Sequence, residues 1–305
     1  WSAAGPADGE FVLAIGSPGS TNRLLTVSQL KYQRDVGNPL QMQVWSSRRE
    51  ALMRYSATGP EATRRALATV RSLANSMKRL TGQQEGLSNP RMMARKEDEE
   101  KALRAEVARR PELQQSVGSA WDEIATAYGE LPAYAKRTAF STLSWSRLGQ
   151  IASTLVRYSE EIGKPNDKRY DEFRDPKLES LKFGLFSTAP IYPDMEEVIL
   201  AAWLTEAEKT LGADDPFVRA ALQGSTPAAV AKAVVSGTKL GDVAVRKALF
   251  EGGSAAIQKS DDPLIVLARR VEPVIRELRA WNEEKIVNLE TVAGQKIATA
   301  RFAAY

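Results

Sequence analysis

One set of polar residues is spaced so that a single helix would present all of them on one face. Asn75 lies at the centre of this stripe, with Arg64, Arg71, Lys78 and Gly82 at offsets of −11, −4, +3 and +7. These offsets bring side chains onto the same side of an α-helix. An asparagine amide offers both a hydrogen-bond donor and an acceptor, so Asn75 is a candidate for binding a polar group of a ligand. A plain amphipathic helix with a solvated polar face is the alternative.

The chain lacks two residue types that most catalytic and metal sites need. Its 305 residues include no histidine and no cysteine. Ser-His-Asp and Cys-His catalysis both require an imidazole base, so these residues alone cannot form either site. Disulfides and zinc sites built from thiolates or imidazoles are excluded as well. An enzyme formed by these residues alone would need Ser-Lys chemistry, carboxylates or a bound cofactor. Our expectation for this chain is no catalytic residue, no metal ligand and no cofactor-binding residue.

Two other patterns resemble catalytic motifs only superficially. Ser28 with Lys31, and Ser236 with Lys239, fit the Ser-x-x-Lys spacing of penicillin-binding enzymes, but the companion Ser-Asp-Asn and Lys-Thr-Gly motifs are absent. Adjacent acids such as Glu196-Glu197 point about 100° apart on a helix and cannot act as a carboxylate pair. We expect such acids to be solvated or to cap helices.

Composition indicates a folded chain with a mixed-charge surface. Apolar residues make up 43% of the sequence, and 42 basic residues are interspersed with 38 acidic ones for a net charge of +4. Interspersed charges of both signs are typical of solvated helical surfaces and argue against a nucleic-acid face. The longest apolar stretch, about 198–204, is far shorter than the roughly 20 residues of a membrane span.

The first residues predict a strand that lacks its partners. The run Phe11 to Gly16 is short, apolar and flanked by turn residues, as in a fully buried strand. A lone strand cannot satisfy its own backbone donors and acceptors, so we expect partner strands outside this sequence and a chain cut from a longer protein. The following residues, 16–23, predict a structural turn at a domain junction.

Beyond Thr26 the pattern is helical nearly throughout and predicts an all-α fold, an elongated multi-helix bundle. The helix that carries Asn75 should start at Gly59-Pro60, end near Gly82 and bury the seam Leu67, Val70, Ala74, Met77 and Thr81. The last helix should start at Asp261-Asp262-Pro263, run for about 40 residues and span roughly 60 Å. Its seam begins at Leu264, Leu267, Val271, Val274, Leu278 and Trp281 and continues through Ile286, Leu289 and Val292. The other predicted helices are 26–35, 40–57, 89–110, 112–128, 133–163, 194–210, 215–222, 226–235 and 240–250, with a long loop at 164–193.

Several motifs resemble the bacterial dipeptidyl-peptidase 7 and 11 family. Gly16-Ser-Pro-Gly-Ser-Thr-Asn-Arg23 is similar to its G-x-P-G-x-T-x-R turn, and Asn75-x-x-Lys78-x-x-x-Gly82 is similar to its N-x-x-K-x-x-x-G helix. The segments Gly237 to Leu240, Val245 to Leu249, Ser260 to Ile265 and Ala300 to Tyr305 also resemble the family. The matches follow the family's order and cover almost the whole chain.

The resemblance implies a part of a serine exopeptidase that releases dipeptides from free peptide N-termini. Residues 1–25 would be the end of the first barrel of a chymotrypsin-like enzyme, and residues 26–305 would be its helical cap. The triad would lie before Trp1 and after Tyr305, so this segment alone would be inactive. Asn75 would bind the substrate's N-terminal amine. The implied partners are peptide substrates and the catalytic barrels of the same chain, and the implied location is the periplasm or cell surface of a Gram-negative bacterium.

Two other functions fit parts of the sequence. The long C-terminal seam could bind partner helices, as in an all-helical protein-interaction module. The excess of basic residues could serve a basic nucleic-acid-binding helical domain.

Overall fold

The computed structural model describes residues 5–13, 15–16 and 24–304, and within them the fold is all-α, as the sequence predicts. The helices of these residues are α1 Val27–Tyr32, α2 Asn38–Ser56, α3 Pro60–Ser88, α4 Pro90–Ala108, α5 Pro111–Val117, α6 Ala120–Phe140, α7 Arg147–Glu161, α8 Asp175–Leu185, α9 Pro193–Leu211, α10 Pro216–Leu222, α11 Pro227–Gly237, α12 Val243–Lys259, α13 Pro263–Asn282 and α14 Asn288–Ala304. Two π turns, Gln33–Gly37 and Glu283–Val287, join α1 to α2 and α13 to α14. Two 3₁₀ turns lie at Asn166–Lys168 and Asp171–Phe173.

The N-terminal strand is the part of the expected fold that the described residues do not form. Phe11, Val12, Leu13 and Ile15 have no regular structure, and their side chains are 60–102% exposed. Ala14 and residues 17–23 lie outside the described residues, so most of the predicted turn at 16–23 does too. Strand backbone needs a neighbouring strand for its hydrogen bonds, and the described part of the chain contains none.

The predicted break at Gly37-Asn38-Pro39 is wrong, because a π turn carries the helix through it. Proline has no backbone N–H, and the amide of Asn38 donates to the carbonyl of Gln33. This arrangement leaves the carbonyl of Arg34 without its usual helical donor. Gln84 of α3 supplies one from its side-chain Nε2, 2.9 Å from that carbonyl oxygen. The donor comes from a helix far along the chain and was therefore invisible to local patterns.

Several other helix boundaries differ from the prediction, and among them α6 runs without a break through the predicted gap at 129–132. The helix α3 runs through Gly82 to Ser88, and its last turn buries Leu87. The predicted helix 133–163 is divided at 141–146, where Ser146 caps α7. The predicted loop 164–193 contains the helix α8 and both 3₁₀ turns.

The molecule has one main core and smaller clusters along its length. The main core gathers apolar side chains from α2, α3, α6, α7 and α9 to α13, with Trp203 and Leu264 among the fully buried ones. A second cluster joins α4, α5, α6 and α14. The last predicted helix is confirmed as α13, a π turn and α14 in series, and it contributes to both clusters. The described helices include none that is both long enough and apolar enough to cross a membrane.

Candidate functional site

The helix α3 presents the predicted polar stripe to solvent. Arg64, Arg71, Asn75, Lys78 and Gly82 are all exposed on this helix, on the face that their spacing predicts. The predicted apolar seam is wrong in phase: Leu67 is 41% exposed, and Ala74 and Thr81 are exposed as well.

The buried side of α3 follows a different and stricter repeat. Ala66, Leu73, Leu80 and Leu87 recur every seven residues, and each is at most 7% exposed. The main partner of this side is α2, and α3 runs back antiparallel to it after the turn at residues 57–59. Packing along one narrow seam leaves the opposite face of α3 free to meet another molecule or domain.

Asn75 and its neighbours on the stripe have unused hydrogen-bonding and charge capacity. Among the described residues, the side-chain amide of Asn75 forms no hydrogen bond, and neither Arg71 nor Lys78 forms an ion pair. The acids that α3 carries, Glu61 and Glu85, lie towards its two ends. The middle of this face therefore offers an unpartnered side-chain amide that can both donate and accept hydrogen bonds, with Arg71 and Lys78 on either side of it.

A polar cluster fixes the N-terminal end of α3. The hydroxyl of Tyr55 on α2 donates to Asp194 Oδ2 at 2.7 Å, and Arg65 Nη1 lies 2.9 and 3.0 Å from the two carboxylate oxygens. Asp194 belongs to the first turn of α9, so the cluster joins three helices. Arg65 also packs over the Tyr192 ring at 4.6 Å. Hydrogen bonds from Arg64 and Arg65 lower the pKa of Glu61 to about 2.

A second set of contacts fixes α3 near its C-terminal end. Gln84 accepts a hydrogen bond from Asn38 Nδ2 at 3.0 Å while its own Nε2 donates to the Arg34 carbonyl. Gln83 Nε2 donates to Gln33 Oε1, also at 3.0 Å. Asn75 thus lies on a helix that is held at both ends.

The Ser-x-x-Lys pairs do not form nucleophilic sites. Lys31 forms an ion pair with Glu97 at 2.8 Å, and the hydroxyl of Ser28 lies 3.0 Å from that of Thr26. Ser236 donates to the carbonyl of Lys232 at 2.7 Å, as solvent-exposed helical serines commonly do. Among the described residues, no group of three or more acidic side chains is placed to hold a metal ion.

The adjacent acids serve as helix caps, as the sequence predicts. Glu196 is buried and accepts from Ser146 Oγ at 2.6 Å and from the Leu148 amide at 2.8 Å, so it caps α7 from outside that helix. Burial raises its pKa, and the hydrogen bond from Ser146 opposes part of that rise. Asp262 caps α13 through the amides of Leu264 and Ile265.

Three of the segments that carry the family resemblance serve structure. Asp262 accepts from the Thr238 hydroxyl at 2.9 and 3.0 Å and from the Lys239 amide at 2.7 Å, which joins two of these segments. A side chain at position 237 would meet Pro263 at 2.8 Å, so glycine is required there. Arg246, in the third segment, is buried and donates to the carbonyls of Leu185 and Ser187 at 2.7 and 3.1 Å.

The features behind the two alternative functions are largely occupied within the chain. Leu264, Leu267, Val271 and Leu278 of the C-terminal seam are at most 4% exposed, so that part of the seam has no free surface for a partner helix. Basic residues that could contact phosphate are partly neutralised by acids, as with Arg109 and Arg110, which both form ion pairs with Glu106.

The two ends of the helical part lie side by side. Leu24, Leu25 and Thr26 line one small cleft together with Ile297 and Arg301. Nearby on the chain, Leu24 is 57% exposed and Phe302 is 89% exposed.

Residues that sequence reasoning missed are those that position α3. Asp194 was identified only as part of a helix start, and Tyr55, Arg65 and Gln84 were not identified at all. The sequence Tyr192-Pro193-Asp194 marks the start of α9, but nothing local shows that Asp194 contacts α2 and α3.

Comparison with known proteins places this arrangement in a group. The crystal structure of Porphyromonas endodontalis DPP11 in complex with dipeptide Arg-Glu matches the fold with a TM-score of 0.63 and 16% identity, over 93% of this chain and 41% of that chain. A second structure of that protein gives a TM-score of 0.58 with the same identity and coverage. An Asp/Glu-specific dipeptidyl-peptidase of Shewanella putrefaciens is 23% identical over 274 residues, which are 88% of this chain and 37% of that protein. This chain therefore spans about two fifths of the length of these relatives. The sequence pattern of the Peptidase S46 family matches residues 1–305, and the chain belongs to that family.

Proposed function

We propose that residues 26–305 form the substrate-gating helical cap of a serine dipeptidyl peptidase, and that residues 1–25 are the end of its first catalytic barrel. The observation that carries the proposal is the unpartnered polar face of α3, with Asn75 at its centre, in a chain of the Peptidase S46 family. The activities named for the relatives, a dipeptidyl-peptidase and a protein bound to a dipeptide, agree with it.

In this proposal Asn75 binds the substrate's free N-terminus. Its side-chain carbonyl accepts a hydrogen bond from the ammonium group and so fixes the peptide in the register that releases a dipeptide. The cap closes over the cleft, positions the peptide and excludes chains that lack a free N-terminus. Residues 1–305 contain no histidine, so the proton transfers and the nucleophile belong to the barrels.

Two structural features support the division into cap and barrel. The adjacent ends of the helical part, at 24–26 and 297–301, suit an insertion into another domain. The exposed apolar side chains of Phe11, Val12, Leu13 and Ile15 suit a strand that belongs to a sheet completed elsewhere. We further propose that the parent enzyme works in the periplasm or at the cell surface of a Gram-negative bacterium.

The test is Asn75→Ala in the full-length enzyme, assayed by dipeptide release from peptides with free N-termini. Loss of a hydrogen bond to a charged group costs about 1.5–3 kcal/mol, so kcat/KM should fall roughly 10-fold to 150-fold while the triad remains intact. Asn288→Ala is the matched control, since Asn288 is also an exposed helical asparagine but lies on α14. Unchanged dipeptide release by Asn75→Ala would remove Asn75 from the site.

A further inference from the structure

The N-terminal half of α3 has little apolar packing to fix its rotation. In residues 60–69 the buried apolar side chains are Ala62 and Ala66, whereas Val70 is partly buried and Leu73, Leu80 and Leu87 are buried further along the helix. Alanine side chains let helices approach closely, but they offer no large knob that would lock one rotation. Another set of contacts must therefore determine where this half of the exposed face points.

We propose that Asp194, Arg65 and Tyr55 form a latch that positions α3, and through it Asn75, for substrate binding. This inference rests on the proposed function. The latch ties α3 to α2 and α9 through the 2.7 Å bond from Tyr55 and the 2.9 and 3.0 Å contacts from Arg65. Arg65 is held on its other side by Glu61 Oε1, at 3.0 Å from its Nε, and by the Tyr192 ring.

The latch residues are positioning residues and do not touch the substrate. Arg65 precedes Asn75 by ten residues, which is about 15 Å along the helix. With side chains extending roughly 5–6 Å from the axis, a 10° rotation of α3 moves the Asn75 amide by about 1 Å. A displacement of that size takes a hydrogen bond out of its favourable distance range and so weakens substrate binding.

The first experiment measures the position of α3 directly and does not depend on an enzyme assay. Because the chain has no cysteine, Arg79→Cys on α3 and Glu251→Cys on α12 give two unique, exposed sites for spin labels. We expect Asp194→Asn to broaden the distance distribution between the labels about twofold. Glu272→Gln is the control: Glu272 also accepts from an arginine, Arg157, at 2.7 and 3.0 Å, but it lies on α13. It should leave the distribution unchanged.

The second experiment asks whether that position matters for the substrate. In the full-length enzyme, Asp194→Asn should raise KM threefold to tenfold with kcat nearly unchanged, and should add nothing in an Asn75→Ala background. Glu272→Gln should lower Tm and leave KM unchanged, which separates positioning from general stability. Tyr55→Phe, which removes only the hydroxyl, should give a smaller rise in KM and serves if Asp194→Asn folds poorly.

The outcomes separate the latch from the proposed function. An unchanged label distribution in both latch variants would overturn the latch. A broadened distance distribution between the labels with an unchanged KM would show that the latch holds α3 in place, and it would overturn the role of Asn75 in substrate binding. A rise in KM that adds fully to that of Asn75→Ala would also contradict the latch, since it would act by another route.

Discussion

Glu196 is a carboxylate enclosed by the fold, whereas Asn75 is an exposed amide with no partner among the described residues. Both are polar side chains on long helices, and only their surroundings distinguish them. Glu196 receives two hydrogen bonds at the start of α7, so its chemistry is already used for structure. Asn75 retains its full capacity to donate and accept, as a residue that binds a ligand should.

Removing the cap that Glu196 provides should weaken the fold. Glu196→Ala leaves the Ser146 hydroxyl and the Leu148 amide without their acceptor, and unsatisfied buried groups cost about 1–3 kcal/mol. We expect that loss in the free energy of unfolding, measured with urea. Glu196→Gln keeps an acceptor of the same size and should lose less. Equal losses in the two variants would contradict a role in capping.

The same residue predicts a dependence on pH. Burial raises the pKa of Glu196 in the folded state, so its favourable contribution is full below the unfolded pKa and is lost as pH rises through the folded pKa. Glu196→Gln does not ionise. The stability difference between wild type and this variant should therefore be smaller at pH 7 than near pH 4. Urea titrations at both values check the sign, and a larger difference at pH 7 would contradict it.

At the scale of elements, α3 is a long helix that is buried on one side and held at both ends. The latch holds one end, and Gln84 holds the other by completing the π turn at Gln33–Gly37. The π turn exists because Pro39 cannot donate to the helix ladder. A feature that distorts one helix thus becomes an attachment point for the next.

Gln84→Ala should be more destabilising than the neighbouring Gln83→Ala. Gln84→Ala leaves the backbone carbonyl of Arg34 and the side-chain amide of Asn38 without partners, whereas Gln83→Ala removes one contact between side chains. We expect a loss of about 1–2 kcal/mol for Gln84→Ala and under about 1 kcal/mol for Gln83→Ala. Urea unfolding of the two variants measures this difference, and equal values would show that Gln84 does not complete the π turn.

Local signals predicted many helix starts but missed contacts between distant elements. Prolines 60, 90 and 263 each mark a helix start as expected, and the long C-terminal helix is confirmed. The helix α3 continues past Gly82 because tertiary packing of Leu87 outweighs the low helix propensity of glycine. The prediction that the stripe around Asn75 lies on the exposed face of α3 is correct, because polar side chains on a helix mark its solvent-facing side. The latch was not predictable, because Asp194 is more than a hundred residues from α2 and α3.

At the scale of the whole molecule, the residues at the two ends of the helical part that the structure describes lie side by side, at 24–26 and 297–301. The exposed face of α3 and the exposed residues 11–13 and 15 are surfaces that the described residues leave uncovered. In the proposed enzyme the barrels cover residues 11–13 and 15, and they face the exposed side of α3 across the cleft.

Residues 1–305 on their own should release no dipeptide from any peptide. The chain has no histidine to activate a serine, and in each of its two Ser-x-x-Lys pairs one member is engaged in another contact: Lys31 with Glu97, and Ser236 with the Lys232 carbonyl. The measurement is the appearance of free dipeptides by mass spectrometry during long incubation, with the full-length enzyme as the positive control. Release by the purified 305-residue chain would contradict the division of labour between cap and barrels.

The most direct test of the central claim compares two replacements of Asn75 in the full-length enzyme. Asn75→Asp keeps an oxygen that can accept from an ammonium group, whereas Asn75→Leu keeps the size but no acceptor. With peptides whose N-termini are free, we predict that kcat/KM stays within about threefold for Asn75→Asp and falls at least about tenfold for Asn75→Leu. Equal kcat/KM values for the two variants would contradict the claim that Asn75 binds the substrate's N-terminus.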